Sequence, residues 1–172
     1  MHEQPGVIAA RRSARAILID QCDRLVLIRR VKPGQAPYWT TPGGGVEDTD
    51  VSDEAALRRE LAEELGAISG PVLPVYFIRT TEGNRVGTQR FFLTRLKALD
   101  ELKRSGSEFL DPARGAYLVD RITLSSDALA DVELRPQTLH QFLLENHAGL
   151  LAELMRLEQE PTTARPDVQT ST

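Results

Sequence analysis

The chain has 172 residues and a formal net charge of −4. That length sustains one domain with a real core but not two comfortable ones, and the mild acidity gives no electrostatic case for gripping duplex nucleic acid or an anionic membrane. One cysteine, Cys22, excludes an intramolecular disulfide framework and fits a reducing, cytoplasmic setting; no apolar run reaches the length of a membrane span, and the N-terminus lacks the apolar core of a signal peptide.

Residues 1–12 are polar and read as a loose N-terminus; Arg11 and Arg12 could touch phosphates, but a solvated basic tip is the plainer reading. Ala14–Asp20 (ARAILID) and Arg24–Arg30 (RLVLIRR) predict two strands of an antiparallel hairpin turning at Gln21-Cys22-Asp23. Cys22 is incidental there, with no histidine near it in sequence. Arg29 and Arg30 close the second strand, where one guanidinium of the pair could reach a bound phosphate; solvated strand-end charge is the plainer reading. Val31–Pro37 is a loop, signalled by Pro33-Gly34. Tyr38–Thr41 then lead through Pro42 to Gly43, Gly44 and Gly45. Trp39, the only tryptophan, either stacks on a base or packs beneath the loop, and packing is the expectation.

Three glycines after a proline let the backbone fold tightly and approach a ligand or ion, exposing amides and carbonyls. Standing alone, such a run is an ordinary turn. From Ser52 to Leu65 there is neither glycine nor proline, and Ala, Leu, Glu and Arg dominate, which predicts a helix of about four turns. Asp50 or Ser52 can cap its start and Gly66 stops it. At about 100° per residue, Leu57, Leu61 and Leu65 form an apolar stripe, with Glu60, Glu63 and Glu64 within an arc of roughly 100° beside it. Glu60 lies one turn from both other acids, and each such like-charged pair costs about 0.2–0.5 kcal/mol on an exposed helix. Glu54 with Arg58 and Arg59 with Glu63 offset part of that. A hard divalent cation, Mg²⁺ or Mn²⁺, would supply the remaining partner, since such ions take carboxylate, water and phosphate oxygens. A solvated acidic helix face is the competing reading.

The two halves together resemble the Nudix box, G-x5-E-x7-R-E-U-x-E-E-x-G-U with U aliphatic. Arg59-Glu60-Leu61-Ala62-Glu63-Glu64-Leu65-Gly66 matches its second half residue for residue, and Ala67 takes the last aliphatic place. The first half departs. Counting back strictly from Arg59 puts Val51 where the first glutamate belongs, with Gly45 opening the box. Anchoring on the glycines makes Gly44 the opening residue and Asp50 the acid, with one extra residue before Arg59. The second alignment keeps a carboxylate in place and puts the insertion in a loop, where it is inexpensive.

The resemblance implies an α/β/α sandwich around a mixed β-sheet, an α+β fold, over residues 13–157. It also implies Mg²⁺- or Mn²⁺-dependent hydrolysis of the pyrophosphate bond of a nucleoside diphosphate linked to another moiety. Glu60, Glu63 and Glu64 would hold the cation, helped by a carbonyl at Gly43 or Gly44, and Asp50 is counted with them as a candidate ligand that also structures the loop. Arg59 would orient Glu63 or a loop acid. Gly43, Gly44 and Gly45, with Trp39 and Arg29, are the candidate substrate contacts. A catalytic or metal-binding glutamate often comes from a loop outside the box, and Glu108 is the candidate.

Beyond the box, Ser69-Gly70-Pro71 breaks the chain, and Val72–Thr80 and Val86–Leu96 predict a second hairpin turning at Glu82-Gly83-Asn84. Residues 97–115 form a long charged loop of the kind that often serves as a lid. Ala116–Leu124 reads as a strand, Ser125–Ala130 as a turn, and Pro136 to about Asn146 as a helix with Leu139, Phe142 and Leu143 on its buried face. Leu150–Leu157 follows as a further helix, and residues 158–172 as a disordered polar tail. His140 and His147 have no third partner in sequence and read as surface or interface histidines. A nucleotide-binding domain with little turnover is the alternative function, and self-association as a homodimer stays open.

Overall fold

Residue alternation in the first strand decides the architecture. In the computed structural model, which describes residues 8–106, 109 and 111–160, β1 (Ile8–Ile19) buries Ala14, Ala16 and Leu18 on one side and Ile17 and Ile19 on the other. Its hairpin partner β2 (Arg24–Val31) divides in the same way, Val26 and Ile28 against Leu25 and Leu27. Strands apolar on both faces need cover on both. Helix α1 (Asp53–Leu65) supplies one layer through Ala56, Leu57, Leu61 and Leu65. The other comes from α2 (Ser126–Ala130) and α3 (Gln137–Gln159), through Leu129, Leu139, Leu143, Leu150 and Leu154. The product is the expected α/β/α sandwich.

The remaining strands are β3 (Tyr38–Thr40), β4 (Gly43–Gly45), β5 (Ala67–Glu82), β6 (Arg85–Leu99), β7 (Ala116–Thr123) and β8 (Leu134–Arg135). The sheet runs β5-β6-β1-β2-β3-β8, with β4 on β1 and β7 on β2. β1–β6 and β3–β8 are parallel and the other pairs antiparallel, so the sheet is mixed. Among the described residues no helix is long and apolar enough to cross a membrane.

Several expectations are corrected. β1 begins at Ile8 rather than Ala14, because Arg11 and Arg12 stay in register with Gly87 and Thr88 of β6 and backbone pairing outweighs their polar side chains. Ser69-Gly70-Pro71 does not break β5; the register shifts there, and β5 is a sheet edge, where a proline is tolerated. The turn expected over Ser125–Ala130 is a short helix, Ser126–Ala130, capped by the Ser125 hydroxyl, which accepts the Ala128 N–H at 3.3 Å. The two C-terminal helices are one: a helical glycine costs about 1 kcal/mol, and the stripe of Leu143, Leu150 and Leu154 buried on either side of Gly149 outweighs that. Glu158 belongs to this helix rather than to a tail, and pairs with Arg95 at 3.2 Å and Lys97 at 3.1 Å. His140 bonds the Leu129 carbonyl through Nε2 at 2.8 Å, a structural contact.

Helix α1 is bounded as its sequence demands. Ser52, not Asp50, caps it, accepting the Ala55 N–H at 3.1 Å. Gly66 ends it in the left-handed conformation at φ 60, where an added Cβ would lie 2.0 Å from the Asp100 carbonyl oxygen. Leu57, Leu61 and Leu65 are wholly buried, each contributing about 1.5–3 kcal/mol. Leu61→Ala should therefore cost about 2–5 kcal/mol, read as a lower urea midpoint with unchanged slope; a loss below about 1 kcal/mol would mean that this face does not carry the helix.

Candidate active site

The triple glycine is a strand rather than the expected turn. Gly43, Gly44 and Gly45 pair antiparallel with Arg15, Ala14 and Ser13. Bonds from Ala16 N–H to Pro42 O and from Val46 N–H to Arg12 O frame this ladder. Their alternation puts Gly44 in a hydrogen-bonded pair with Ala14 and turns the Gly43 and Gly45 carbonyls away from β1. The Gly44 carbonyl is spent in the ladder, and of the two outward carbonyls that of Gly43 lies clear of Arg59, which corrects the assignment of Gly44 as a ligand. Side chains are excluded at both positions. Gly43 has φ 126, and a Cβ there would lie 2.3 Å from the Ala14 carbonyl oxygen. At Gly44 a Cβ would lie 2.4 Å from the Glu60 carboxyl carbon.

This absence of side chains brings the acids of α1 onto the strand backbone. The Gly43 N–H donates to Glu64 Oε2 at 2.7 Å. At the other end of the same residue, Arg15 Nη1 donates to the Gly43 carbonyl at 3.1 Å and to the Thr41 carbonyl at 2.9 Å. Burial pushes the Arg15 guanidinium below its ordinary pKa, while the Glu64 and Glu60 carboxylates pull it back up. Arg15 and the two glutamates therefore share one electrostatic environment.

Arg59 is the second organising cation. Its Nε and Nη2 grip both oxygens of Asp50 at 3.1 and 2.9 Å, a two-pronged match of guanidinium and carboxylate. Nη2 also donates to the Gly45 carbonyl at 2.9 Å, and Nη1 to Glu60 and Glu63, each at 3.1 Å. The Asp50 contact is the main reason that the Arg59 pKa lies above its ordinary value. Asp50 also accepts the Glu47 N–H at 2.8 Å. Its carboxylate is committed to the loop, so its place among the metal ligands is corrected to that of an anchor for Arg59. The acidic arc is divided too: Arg59 takes Glu60 and Glu63, and among the described residues no three carboxylate, histidine or cysteine side chains by themselves form a cation site.

Arg29 and Trp39 share one partner, Asp120. Arg29 Nε lies 3.0 Å from Asp120 Oδ2, which also accepts the Trp39 indole N–H at 2.8 Å. Trp39 packs against the core, as expected of it, and Arg29 is corrected from phosphate contact to ion-pair partner. Arg30 lies over the Tyr117 ring, 3.7 Å from its centroid. Glu108 falls outside the described residues. The chain before it clasps the carboxyl end of α1: Ser105 and Gly106 donate to the Glu63 carbonyl at 2.9 and 3.2 Å, and Arg104 Nε to the Glu64 carbonyl at 2.6 Å.

Two clefts flank Arg15. One, of about 540 Å³, is lined by Thr40, Gln89, Glu133 and Arg135. The other, of about 280 Å³, is lined by Arg11, Ser13, Gly44 and Thr88. Arg15 and Gln89 belong to both. Sequence reasoning passed over Arg15, although a charge two residues before Ile17 in a strand buried on both faces is a signal in itself. Arg135 and Gln89 gave no comparable sign.

The family model for the NUDIX domain matches residues 9–116, more than half of the chain. The chain belongs to the NUDIX family. It is a Nudix pyrophosphohydrolase by that membership, and the acids of its box occupy the site just described. Among solved structures, a NUDIX hydrolase from Nitrosomonas europaea aligns with TM-score 0.61 and 19% identity over 82% of this chain and 90% of that one. The ORF135 protein of Escherichia coli aligns with TM-score 0.56 and 23% identity over 88% and 97%. A MutT NUDIX hydrolase from Burkholderia pseudomallei gives 0.54 and 23% over 80% and 98%. These likenesses carry the fold. Comparison with curated proteins returned no match.

The Arg59 contact, with the Glu47 N–H, holds the Asp50 carboxyl below the ordinary aspartate value of 3.8. A carboxyl depressed on folding stabilises fully above its unfolded pKa, and that contribution is lost as the pH falls through the folded value. The stability deficit of Asp50→Asn in urea melts should therefore be largest near neutrality and shrink as the pH drops below 3.8. A deficit constant with pH would contradict the pairing.

Proposed function

We propose that this Nudix member hydrolyses the pyrophosphate bond of a nucleoside diphosphate linked to another moiety, such as ADP-ribose, a nucleotide sugar or a nucleoside triphosphate, with Mg²⁺ or Mn²⁺ as cofactor. The contact of Glu64 with the Gly43 N–H carries this reading: a carboxylate and an outward carbonyl meet at one residue, beside Glu60. All the donors are hard oxygens, which fits such a cation, and an ion that keeps several waters does not need three carboxylates. Glu60, Glu64 and the Gly43 carbonyl would hold it, with the half-exposed Glu63 at the edge. When bound, the cation neutralises diphosphate charge and lowers the pKa of a water.

The chain's own groups account for the rest. Arg59 fixes the rotamers of Glu60 and Glu63, and through the Gly45 carbonyl it ties α1 to β4. Arg11 and Arg135, in the two clefts that flank Arg15, offer guanidinium groups to phosphate oxygens. Glu108 remains the candidate catalytic or metal-binding glutamate from outside the box. The grip of Arg59 on Asp50 supports turnover over the alternative of a binding domain, because the shorter acid still anchors the loop that a disabled box would leave slack.

A panel of nucleotide sugars, dinucleoside polyphosphates and nucleoside triphosphates, assayed for phosphate-containing products, should show activity with Mg²⁺ or Mn²⁺ that EDTA abolishes. Glu64→Gln should lower kcat roughly 10²–10³-fold, the scale of removing one charge-stabilising group. Metal-independent turnover, or a fully active variant, would count against the assignment.

A further inference from the structure

Residue Gly43 is held from two sides. Its N–H goes to Glu64, and its carbonyl, the one the β1 ladder leaves outward, goes to Arg15. The carbonyl oxygen that suits a divalent cation is thus already engaged by a guanidinium, in the field of the same two carboxylates, Glu64 and Glu60. Two cations cannot occupy that oxygen side by side without strong repulsion at low effective dielectric. Arg15 has somewhere to go, since it lines both clefts, and its planar fork of N–H donors suits a phosphate oxygen. It also stays protonated throughout.

We propose that Arg15 is a displaceable placeholder. A divalent cation entering between the Gly43 carbonyl and Glu64 drives the guanidinium off that carbonyl, and the released group takes an oxygen of the substrate's diphosphate where the two clefts meet. Arg15 then couples the two ligands: the diphosphate gains its arginine contact when the cation is aboard. The inference rests on the proposed function for the nature of both.

The test is Mn²⁺ titration followed by electron paramagnetic resonance, without nucleotide, on the wild type, Arg15→Gln and Arg15→Lys. Pyrophosphate titration at saturating Mn²⁺ follows. Lysine keeps the charge, but a side chain one atom shorter falls short of the Thr41 and Gly43 carbonyls. Both variants should bind Mn²⁺ more tightly, on the order of tenfold, and Arg15→Gln should bind pyrophosphate more weakly by a similar factor. Tightening in Arg15→Gln alone would reduce the effect to charge and overturn the inference, as would unchanged Mn²⁺ binding in both variants or unchanged pyrophosphate binding in Arg15→Gln. Should Arg15→Gln fail to fold by circular dichroism, Arg15→Lys decides alone: tighter Mn²⁺ binding supports displacement and unchanged binding refutes it. Saturable wild-type binding with unaltered variants refutes only this inference. No saturable Mn²⁺ binding in any of the three proteins would remove the proposed function as well.

Discussion

Helix α1 approaches strand β4 so closely that the Glu60 carboxylate occupies the space in which any side chain at residue 44 would stand. Nearly everything else in the site depends on this approach. It allows Glu64 to meet the Gly43 amide at 2.7 Å, and it lets Arg59 reach across to the Gly45 carbonyl. The force behind it is ordinary burial: Leu57, Leu61 and Leu65 seat the helix on the sheet face formed by Ala14, Ala16, Leu18 and Val26. A stripe of leucines thus sets the distance at which the carboxylates work.

Packing acids against a backbone carries an electrostatic cost, because carboxylates removed from water need compensation. The chain compensates with two arginines of different character. Arg59 lies on the same helix, makes five hydrogen bonds to Asp50, Gly45, Glu60 and Glu63, and is a fixed part of the frame. Arg15 comes from the sheet, holds only two backbone carbonyls through one nitrogen, and opens onto two clefts. The first organises the acids, and the second borders both clefts.

Local features were legible in the sequence. The α1 segment, its leucine stripe, its glycine stop and the Asp23 turn each depend on residues a few positions apart, and each is present in the structure. The resemblance to the Nudix box, with the order of strands and helices, carried the sandwich. Features that depend on distant partners were not legible. Glycines 43–45 become a strand only because β1 is beside them. Trp39 and Arg29 are both engaged by Asp120, 81 residues from the tryptophan. Likewise β8 is a strand of two residues whose pairing with β3 is parallel, a contact without any periodic signature. Asp50 shows the distinction within one residue: its place in the box could be counted, but its grip on Arg59 had to be seen.

The central claim is that a divalent cation belongs at the Gly43 peptide, between its carbonyl and the carboxylates of Glu60 and Glu64. Anomalous diffraction from crystals grown with Mn²⁺ and a non-hydrolysable nucleotide diphosphate tests this most directly. A manganese peak at ligation distance from the Gly43 carbonyl and Glu64, bridged to the diphosphate, is the predicted result. A nucleotide bound with manganese elsewhere, or crystals with no manganese at these oxygens, would contradict it.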